Sequence, residues 1–258
     1  MIHHYTSIAA LAAILRHRTI RFGRLDTLDD TQEAQHVRDI DFGKMLFASC
    51  WVEKDEEDIA QWAMYGGAMK GVRISLPRQP FAEVTRMSDA SSIARSRYQG
   101  YTLLPDIIDH PGEFLSNVVY VNDVAECYAK RIEFFDLDGV RINGRATALA
   151  TFKNRYWEFQ KEVRFILHAV PGPTGWTTDQ EWALKFAEMG HDGKWGMIGP
   201  DVLYIDRPLS DEALSTAQVV LGPLANDSDR LIVESLIASW APGLPLRKSE
   251  LTGLIRHR

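Results

Sequence analysis

Residues 162–170 alternate between apolar and polar or mixed positions with a period of two, which predicts a β-strand. Val163, Phe165 and Leu167 fall on one face of this strand, and Arg164 and His168 fall on the other. A strand exposes backbone donors and acceptors that other strands must satisfy. The remaining strand-like segments of the chain therefore decide the fold.

Short strands and helices are interspersed along the whole sequence. The pattern predicts further strands at 19–23, 45–52, 71–76, 117–121, 203–205, 219–221 and, as an edge strand, 246–251. It predicts helices at 8–17, 55–66, 123–135, 145–156 and 228–238, and a loop plus helix at 25–41. Residues 85–117 read as containing long surface loops, and 176–200 as irregular. No repeat or low-complexity linker divides the chain, so we expect one α+β domain over residues 1–258, with a mixed central sheet and flanking helices.

Composition excludes several classes of protein. At 258 residues, with 45% hydrophobic residues, the chain can bury a core without disulfides, and Cys50 is expected to be a buried structural thiol. A net charge of −6 argues against broad nucleic-acid binding but leaves a local basic groove at Arg95, Arg97 and Arg155 open. Neither a signal peptide nor an apolar run of about 20 residues is visible, so we expect a cytoplasmic protein with no membrane segment.

The first candidate site residues are His4, Tyr5, Thr6 and Ser7, at the inner end of the first predicted strand at the chain start. The imidazole of His4 could bond a ribose hydroxyl or a phosphate at neutral pH, and a satisfied core histidine is the alternative. His3 should point to the opposite face of the strand and is the weaker candidate. Thr6 or Ser7 can cap the following helix.

An acidic cluster follows the second predicted strand, with Asp29, Asp30 and Glu33. A solvated acidic helix start and a contact to ribose or substrate are both consistent with it. A metal site is conceivable, although the run lacks the glycine and the twelve-residue loop of an EF-hand.

Two aromatic residues, Trp62 and Tyr65, stand three apart on one predicted helix face and precede Gly66 and Gly67. Such a pair can stack on nicotinamide or a nucleobase, and the glycines would let a ligand approach the backbone. Packing in the core is the alternative for both rings.

Glu162 opens the alternating strand beside Lys161 and Arg164, which should keep its carboxylate ionised. It could then orient a hydroxyl or stabilise a developing cation, with Glu158 as a possible partner. A surface ion pair is the alternative. No GxSxG, P-loop, GxGxxG or HExxH motif is present, which disfavours hydrolases, NTPases, dehydrogenases and zinc proteases that carry these motifs.

Taken in order, HYTSIAALAAILRHRTIRFG, DTLDDTQE, SCWVEKDEEDIAQWAMYGGAMKGVRISL, KNRYWEFQKEVRFIL and VVLGP resemble the bacterial domain-of-unknown-function 2971 family over nearly the whole chain. That family shows Asn-Asp-Pro-x-Glu in the acidic segment and Trp-x-x-Glu-x-Glu-x-Arg in the late strand. Here Asp29 and Thr31 replace the Asn and the Pro, and Gln160 replaces the first Glu of Glu-x-Glu.

The opening His4 and Thr6 before a helix, an aromatic on a helix between strands and Glu162 at a later strand are similar, more loosely, to DarT-like ADP-ribosyltransferases. This resemblance implies a NAD-dependent ADP-ribosyltransferase or NAD glycohydrolase, active as a toxin or phage-defence effector on a nucleic-acid or protein acceptor, with an antitoxin as a partner. His4 would contact the nicotinamide ribose, Tyr65 with Trp62 would stack the nicotinamide, and Glu162 would polarise the ribose 2′-hydroxyl. The nucleotide-binding set implied is His4, Tyr5, Thr6, Asp30, Glu33, Trp62, Tyr65 and Arg164, with no metal.

Two other functions remain open at this point. Asp30, Glu33 and Glu162 would bind a divalent metal in a nucleic-acid-cleaving effector, whereas an aromatic pocket alone would suit a non-catalytic nucleotide-sensing module. The NAD hypothesis predicts that His4, Tyr65 and Glu162 converge on one cleft. It also predicts that Glu162→Gln leaves folding intact and abolishes turnover.

Overall fold

A computed structural model gives the fold over residues 1–82, 97–104, 114–135, 140–190 and 198–256. The strands are β1 (Ile2–Thr6), β2 (Thr19–Arg24), β3 (His36–Val37), β4 (Ile40–Asp41), β5 (Leu46–Val52), β6 (Val72–Leu76), β7 (Arg97–Tyr98), β8 (Tyr101–Leu104), β9 (Leu115–Asn117), β10 (Val119–Val121), β11 (Ile132–Phe134), β12 (Val140–Ile142), β13 (Phe152–Asn154), β14 (Glu162–Pro171), β15 (Tyr204–Pro208), β16 (Gln218–Leu221) and β17 (Leu246–Lys248). The helices are α1 (Ile8–His17), α2 (Phe42–Met45), α3 (Ile59–Met64), α4 (Val124–Arg131), α5 (Asp179–Gly190), α6 (Asp211–Ser215) and α7 (Asp227–Trp240).

Eleven strands form the main sheet, in the order β17-β16-β6-β1-β5-β14-β8-β7, with β2, β9 and β15 attached beside this path. Only β16 and β17 pair in parallel within it, so the expectation of one α+β domain with a mixed sheet and flanking helices is confirmed. β17 lies at the edge, as its position in the sequence predicted.

The predicted alternation in β14 places one apolar set on each face of the sheet. Val163 and Phe165 belong to a core cluster that includes residues of α1 and α7. Ile166 and Val170 face the opposite cluster, where they share the core with Tyr128 of α4. Because both faces are covered, β14 is buried along nearly all its length.

Helix α1 has the bounds that its apolar spacing predicted. The Ser7 side chain accepts a hydrogen bond from the Ala10 amide at 3.1 Å, which satisfies one of the orphan donors at the helix start. The helix ends at Arg18, whose backbone takes the left-handed conformation with φ 55°.

The prediction of a helix at 145–156 was wrong. The segment instead forms a 3₁₀ turn at Ala146–Thr151, strand β13, and a second 3₁₀ turn at Arg155–Gln160. β13 pairs in parallel with β10, a distant partner that local helix propensity does not register. The Asn154 side chain accepts from the Tyr156 amide and starts the next turn.

Other predicted boundaries shift for similar reasons. The helix expected at 123–135 ends at Arg131, because Ile132–Phe134 forms a hairpin with β12. Residues 25–41 contain a 3₁₀ turn and the small β3–β4 hairpin rather than a helix. The 176–200 segment contains helix α5. Of the region read as long loops, 97–104 forms the β7–β8 hairpin, and 85–96 and 105–113 lie outside the described residues.

The sheet opens beside the middle of β5. β1 pairs with β5 only at His3 and Val52, while β2 pairs with it at Gly23–Ala48 and Arg24–Phe47. β1 and β2 therefore pair with opposite ends of this edge of β5 and not with each other. Between these two pairings, one edge of Ser49–Trp51 faces a gap within the described part of the sheet. None of the described helices combines the length and apolarity needed to cross a membrane.

We predict that Gly71→Ala lowers the free energy of unfolding by about 1–3 kcal/mol. A Cβ at Gly71 would collide with the carbonyl oxygen of Thr6 and lie 2.8 Å from that of Gly66, both backbone atoms that cannot turn away. At Gly23 the nearest atom is 3.6 Å away, so Gly23→Ala is the matched control. Urea denaturation of both variants provides the measurement, and equal losses would contradict the packing argument.

Candidate functional site

A cavity of about 230 Å³ occupies the gap in the sheet beside β5. Its wall comes from β1, β2, β5, β14, the segment after β2, helix α3 and the chain around β13. The lining residues are His3, His4, Tyr5, Arg21, Thr27, Leu28, Asp29, Ala48, Ser49, Cys50, Trp51, Gln61, Tyr65, Lys153, Gln160, Glu162 and Arg164. His4, Tyr65 and Glu162, predicted from three distant segments, thus lie around one hollow.

The hydrogen bond of His4 fixes which ring nitrogen is available to a ligand. Its Nδ1 lies 2.8 Å from the Cys50 carbonyl oxygen, which can only accept, so Nδ1 carries the proton. Burial lowers the pKa of His4, which favours the neutral ring despite the bond to Cys50. Nε2 is then a free acceptor, with no hydrogen-bond partner among the described residues.

His3 also lines the cavity, but both of its ring nitrogens are occupied. Nδ1 lies 2.8 Å from Ser75 Oγ, and Nε2 lies 3.0 Å from a carboxylate oxygen of Asp55. His3 is 4% exposed, so these bonds hold it as part of the wall. The expectation that His4 is the better candidate agrees with this geometry.

Tyr65 stands at the end of α3 and connects two polar residues of the cavity wall. Its hydroxyl donates to Asp29 and accepts from Gln160 Nε2 at 2.6 Å. Burial, assisted by the bond to Asp29, raises the pKa of Tyr65 well above its usual range. The phenol therefore stays protonated and can contact a ligand but cannot act as a base.

Glu162 belongs to a buried network of two carboxylates and two cations. Arg164 Nε donates to Glu162 Oε1 at 2.5 Å, and its two terminal nitrogens bond Glu33. Lys153 Nζ lies 3.0 Å from Glu162 Oε2 and 3.2 Å from Glu33 Oε1. Two further bonds from Arg164 reach the Ala150 carbonyl and Glu162 Oε2, so all five of its N–H donors are used.

The network decides the ionisation of Glu162. Burial opposes the charged form, but Arg164 and Lys153 outweigh it and lower the pKa of Glu162 from 4.5 to about 2. The carboxylate is ionised at any physiological pH, as the sequence predicted. It is not a surface ion pair, because Arg164 is fully buried and Glu162 is 6% exposed.

This burial changes the expectation for Glu162→Gln. Removing one carboxylate would leave Arg164 and Lys153 with only Glu33 to balance two buried positive charges. An unpaired buried charge is strongly destabilising. We therefore expect Glu162→Gln to lose stability, which makes loss of activity in that variant uninformative.

Cys50 lies beside Glu162. The interaction of its thiol with the carboxylate helps to lower the pKa of Glu162, whereas burial followed by the nearby charge of Glu162 raises the pKa of Cys50 well above its usual value. Cys50 is a residue of intermediate exposure that lines the cavity wall, so the prediction of a buried structural thiol holds only in part. A thiol is a weak hydrogen-bond donor.

The structure corrects the proposed nucleotide contacts of Trp62 and Thr6, which do not line the cavity. Trp62 is fully buried, meets the Tyr5 ring edge-on at 4.9 Å and donates to Glu57 at 2.7 Å. Its core position leaves no ring face for a nicotinamide. Thr6 is also buried, paired with Val72 across β1 and β6.

Asp30 and Glu33 are likewise structural, and neither lines the cavity. Asp30 accepts hydrogen bonds from the amides of Gln32 and Asn154, and Glu33 is fully buried beneath Arg164. Asp30 and Glu33 are thus neither part of a solvated helix start nor ligand contacts, whereas Asp29 lines the cavity and accepts from Tyr65. Glu158 is exposed and takes no part in the network.

Tyr5 and Arg164 line the cavity, but their polar atoms are engaged within the chain. The Tyr5 hydroxyl accepts from the Asp58 amide at 3.1 Å at the start of α3. The proposed basic groove is not formed by its described members: Arg97 pairs with Asp179, and Arg155 bonds Asn122. Arg95 lies outside the described residues.

Sequence reasoning did not identify Lys153, Gln160 and Cys50 as residues of the cavity wall. Lys153 was placed in a helix that does not form, so its approach to Glu162 had no local signal. Gln160 did carry one, since it is the position where the chain departs from the Glu-x-Glu of the resemblance. Within the described residues, no group of three or more His, Cys, Asp or Glu side chains could hold a metal ion.

No family model, curated protein or solved structure matches this chain. The resemblances drawn from its motifs therefore stay predictions. The functional argument depends on the cavity and on the residues that line it.

We predict that Arg164→Met lowers the free energy of unfolding by about 3–5 kcal/mol, because it leaves two buried carboxylates with one cation. Arg230→Met is the matched control, since Arg230 pairs with Glu234 on the exposed surface of α7. Its loss should stay below about 1 kcal/mol. Chemical denaturation followed by circular dichroism measures both, and a small loss for Arg164→Met would refute the role given to the network.

Proposed function

We propose that this protein is a NAD-dependent ADP-ribosyltransferase or NAD glycohydrolase with an ADP-ribosyltransferase-like fold. The observation that carries the proposal is that His4, Tyr65 and Glu162 line a single cavity at an opening in the sheet. These are the residues that the resemblance assigns to the ribose, the nicotinamide and the 2′-hydroxyl. The same resemblance motivates a cytoplasmic toxin or phage-defence role, a protein or nucleic-acid acceptor and an antitoxin partner.

The size and charge of the cavity favour the nicotinamide riboside half of NAD as its occupant. At about 230 Å³ it is smaller than the roughly 300–1,000 Å³ typical of sites for drug-sized ligands. The cations in its wall are engaged: Arg164 and Lys153 bind the buried carboxylates, and Arg21 binds Asp206 through two nitrogens. We therefore place the ribose and its nicotinamide inside the cavity, and the phosphates outside.

The proposed reaction breaks the bond between the ribose C1′ and the nicotinamide nitrogen, and the bonding electron pair leaves with nicotinamide. Water or an acceptor then adds to C1′ and gives its proton to solvent. Nε2 of His4 accepts a hydrogen bond from a ribose hydroxyl, and Glu162 accepts one from the 2′-hydroxyl. Because Arg164 and Lys153 already balance Glu33 and Glu162, we assign Glu162 the orientation of the sugar rather than a net negative charge.

A ligand hydroxyl can reach Glu162 by replacing the Cys50 thiol. The carboxylate has about four acceptor positions: bonds from Arg164 and Lys153 fill three of them, and the Cys50 thiol lies beside the remaining one. The charged donors are held by Glu33 as well, whereas the thiol is the weak neutral donor. In this proposal Cys50 occupies the position of the 2′-hydroxyl until the substrate binds.

A non-catalytic nucleotide-sensing module is the second candidate, and a specific observation favours it. Bonds from Arg164 and Lys153 already fill three of the about four acceptor positions of Glu162, which is the arrangement expected of a structural carboxylate. The metal-dependent nuclease is not retained, because Lys153 and Arg164 lie between Glu33 and Glu162 where a cation would have to bind. Their positive charges oppose a metal ion there.

Incubation with NAD followed by chromatography of the products tests the proposal. We predict that the wild-type protein releases nicotinamide and that His4→Leu lowers kcat/KM at least about 100-fold, because a buried ribose hydroxyl loses its acceptor. His17→Leu, at an exposed position of α1, should retain wild-type turnover. Thermal melting of both variants checks that folding is preserved.

The two candidates give different results in the same assay. Stabilisation of the wild type by NAD without release of nicotinamide would favour the sensing module. If NAD causes neither stabilisation nor turnover, NAD is rejected as the ligand.

We further predict that Cys50→Ser and Cys50→Ala have different effects on KM. Cys50→Ser places a stronger hydroxyl donor on Glu162, so the substrate must displace a better competitor and KM should rise several-fold. Cys50→Ala removes the competitor, so KM should stay at or below the wild-type value. Steady-state kinetics on both variants provide the measurement, and the same change in both would argue against the displacement step.

A further inference from the structure

A buried polar atom of the cavity wall lacks a partner among the described residues. Gln160 is 2% exposed and lines the cavity, and no hydrogen bond to its Oε1 comes from the part of the chain that the structure describes. A buried acceptor without a donor costs free energy, so native proteins seldom retain one that nothing satisfies. Oε1 is therefore a position where a bound molecule can supply the missing donor.

The orientation of the Gln160 amide is determined by its neighbours. The carboxylate of Asp29 can only accept, so the single hydroxyl hydrogen of Tyr65 is directed to it. The Tyr65 oxygen must then accept from Gln160, which places Nε2 against the phenol at 2.6 Å. Asp29 and Tyr65 thus hold Oε1 as the free end of the amide.

Two further acceptors of the wall are open to a ligand. His4 presents the lone pair of Nε2, and Glu162 is anionic and gains a free position when the Cys50 thiol leaves. Arg164 has no N–H donor left, and Lys153 is held by both carboxylates. A ligand that donates hydrogen bonds at several points therefore suits the acceptors of this wall.

We propose that Gln160 Oε1 accepts a hydrogen bond from the primary carboxamide of NAD, which makes Gln160 a specificity-determining residue and Tyr65 and Asp29 its positioning residues. The inference rests on the proposed function, because it concerns the same cavity. A carboxamide N–H₂ is a donor, and a planar ring that carries it can lie along the Tyr65 side chain. Nicotinic acid adenine dinucleotide has a carboxylate in the same place, which cannot donate and would face the Gln160 oxygen.

The test compares the two dinucleotides on the full chain, by calorimetric affinity and by release of the free base. The wild type should prefer NAD by roughly 10- to 100-fold in affinity. Gln160→Met, which keeps the length of the side chain but removes the oxygen, should reduce that ratio to within about threefold. Gln180→Met, at an exposed position of α5, should leave the ratio unchanged.

Tyr65→Phe provides a second test that does not depend on the Gln160 variant. Without the hydroxyl, the amide is free to turn its N–H₂ toward the cavity, so the preference for NAD should shrink or reverse. A purely structural role for Tyr65 would weaken both dinucleotides equally and leave their ratio unchanged.

The outcomes separate this inference from the proposed function. A wild type that binds or cleaves both dinucleotides equally would overturn the role of Gln160 while the NAD chemistry stands. A wild type that binds neither would overturn both. A Gln160→Met ratio that stays at the wild-type value in a folded variant would also contradict the inference.

Discussion

The full burial of Arg164 is the constraint on which the rest of the structure depends. A guanidinium at the centre of a sheet cannot lose its proton, so its charge must be balanced and its donors bonded where it lies. Glu33 and Glu162 supply both, and Lys153 balances the second carboxylate. The network thereby joins the segment after β2 to β13 and β14, three parts of the chain that share no continuous backbone hydrogen bonding.

This network also determines which interactions remain for a ligand. Because its cations are engaged, the wall can bind a phosphate only weakly, whereas its acceptors can bind a hydroxyl or an amide. The opening of the sheet between β1 and β2 is what makes these acceptors reachable, because a fully paired β5 would leave no space beside Cys50. His4, whose Nδ1 bonds the Cys50 carbonyl across this gap, directs its other nitrogen to the ligand.

Local periodicity predicted the elements that depend on local sequence and missed those that depend on distant partners. Helix α1 and the core alternation of β14 follow from apolar spacing and a capping serine, and both were predicted. Residues 145–156 were not, because β13 exists only through its pairing with β10. The same limit applies to charge: an acidic run such as Asp30 to Glu33 reads alike whether it is solvated or buried, and only the fold brings Arg164 to it. Lys153 could not be predicted, because its strand β13 forms only through a distant partner and only the fold brings Glu33 and Glu162 to its ammonium.

The same bonds that stabilise the wall restrain any chemistry within it. Glu162 is held by Arg164 and Lys153 so firmly that its position is preorganised, which favours precise contact with a sugar. That arrangement leaves it about one unfilled acceptor position, and the Cys50 thiol, a weak donor that also lines the cavity, lies beside it. If the chain is an enzyme, its substrate gains access by exchanging a weak hydrogen bond for a stronger one and leaves the charged network intact. A fold with a buried ion network can therefore carry a reactive carboxylate without first breaking the contacts that hold the sheet together.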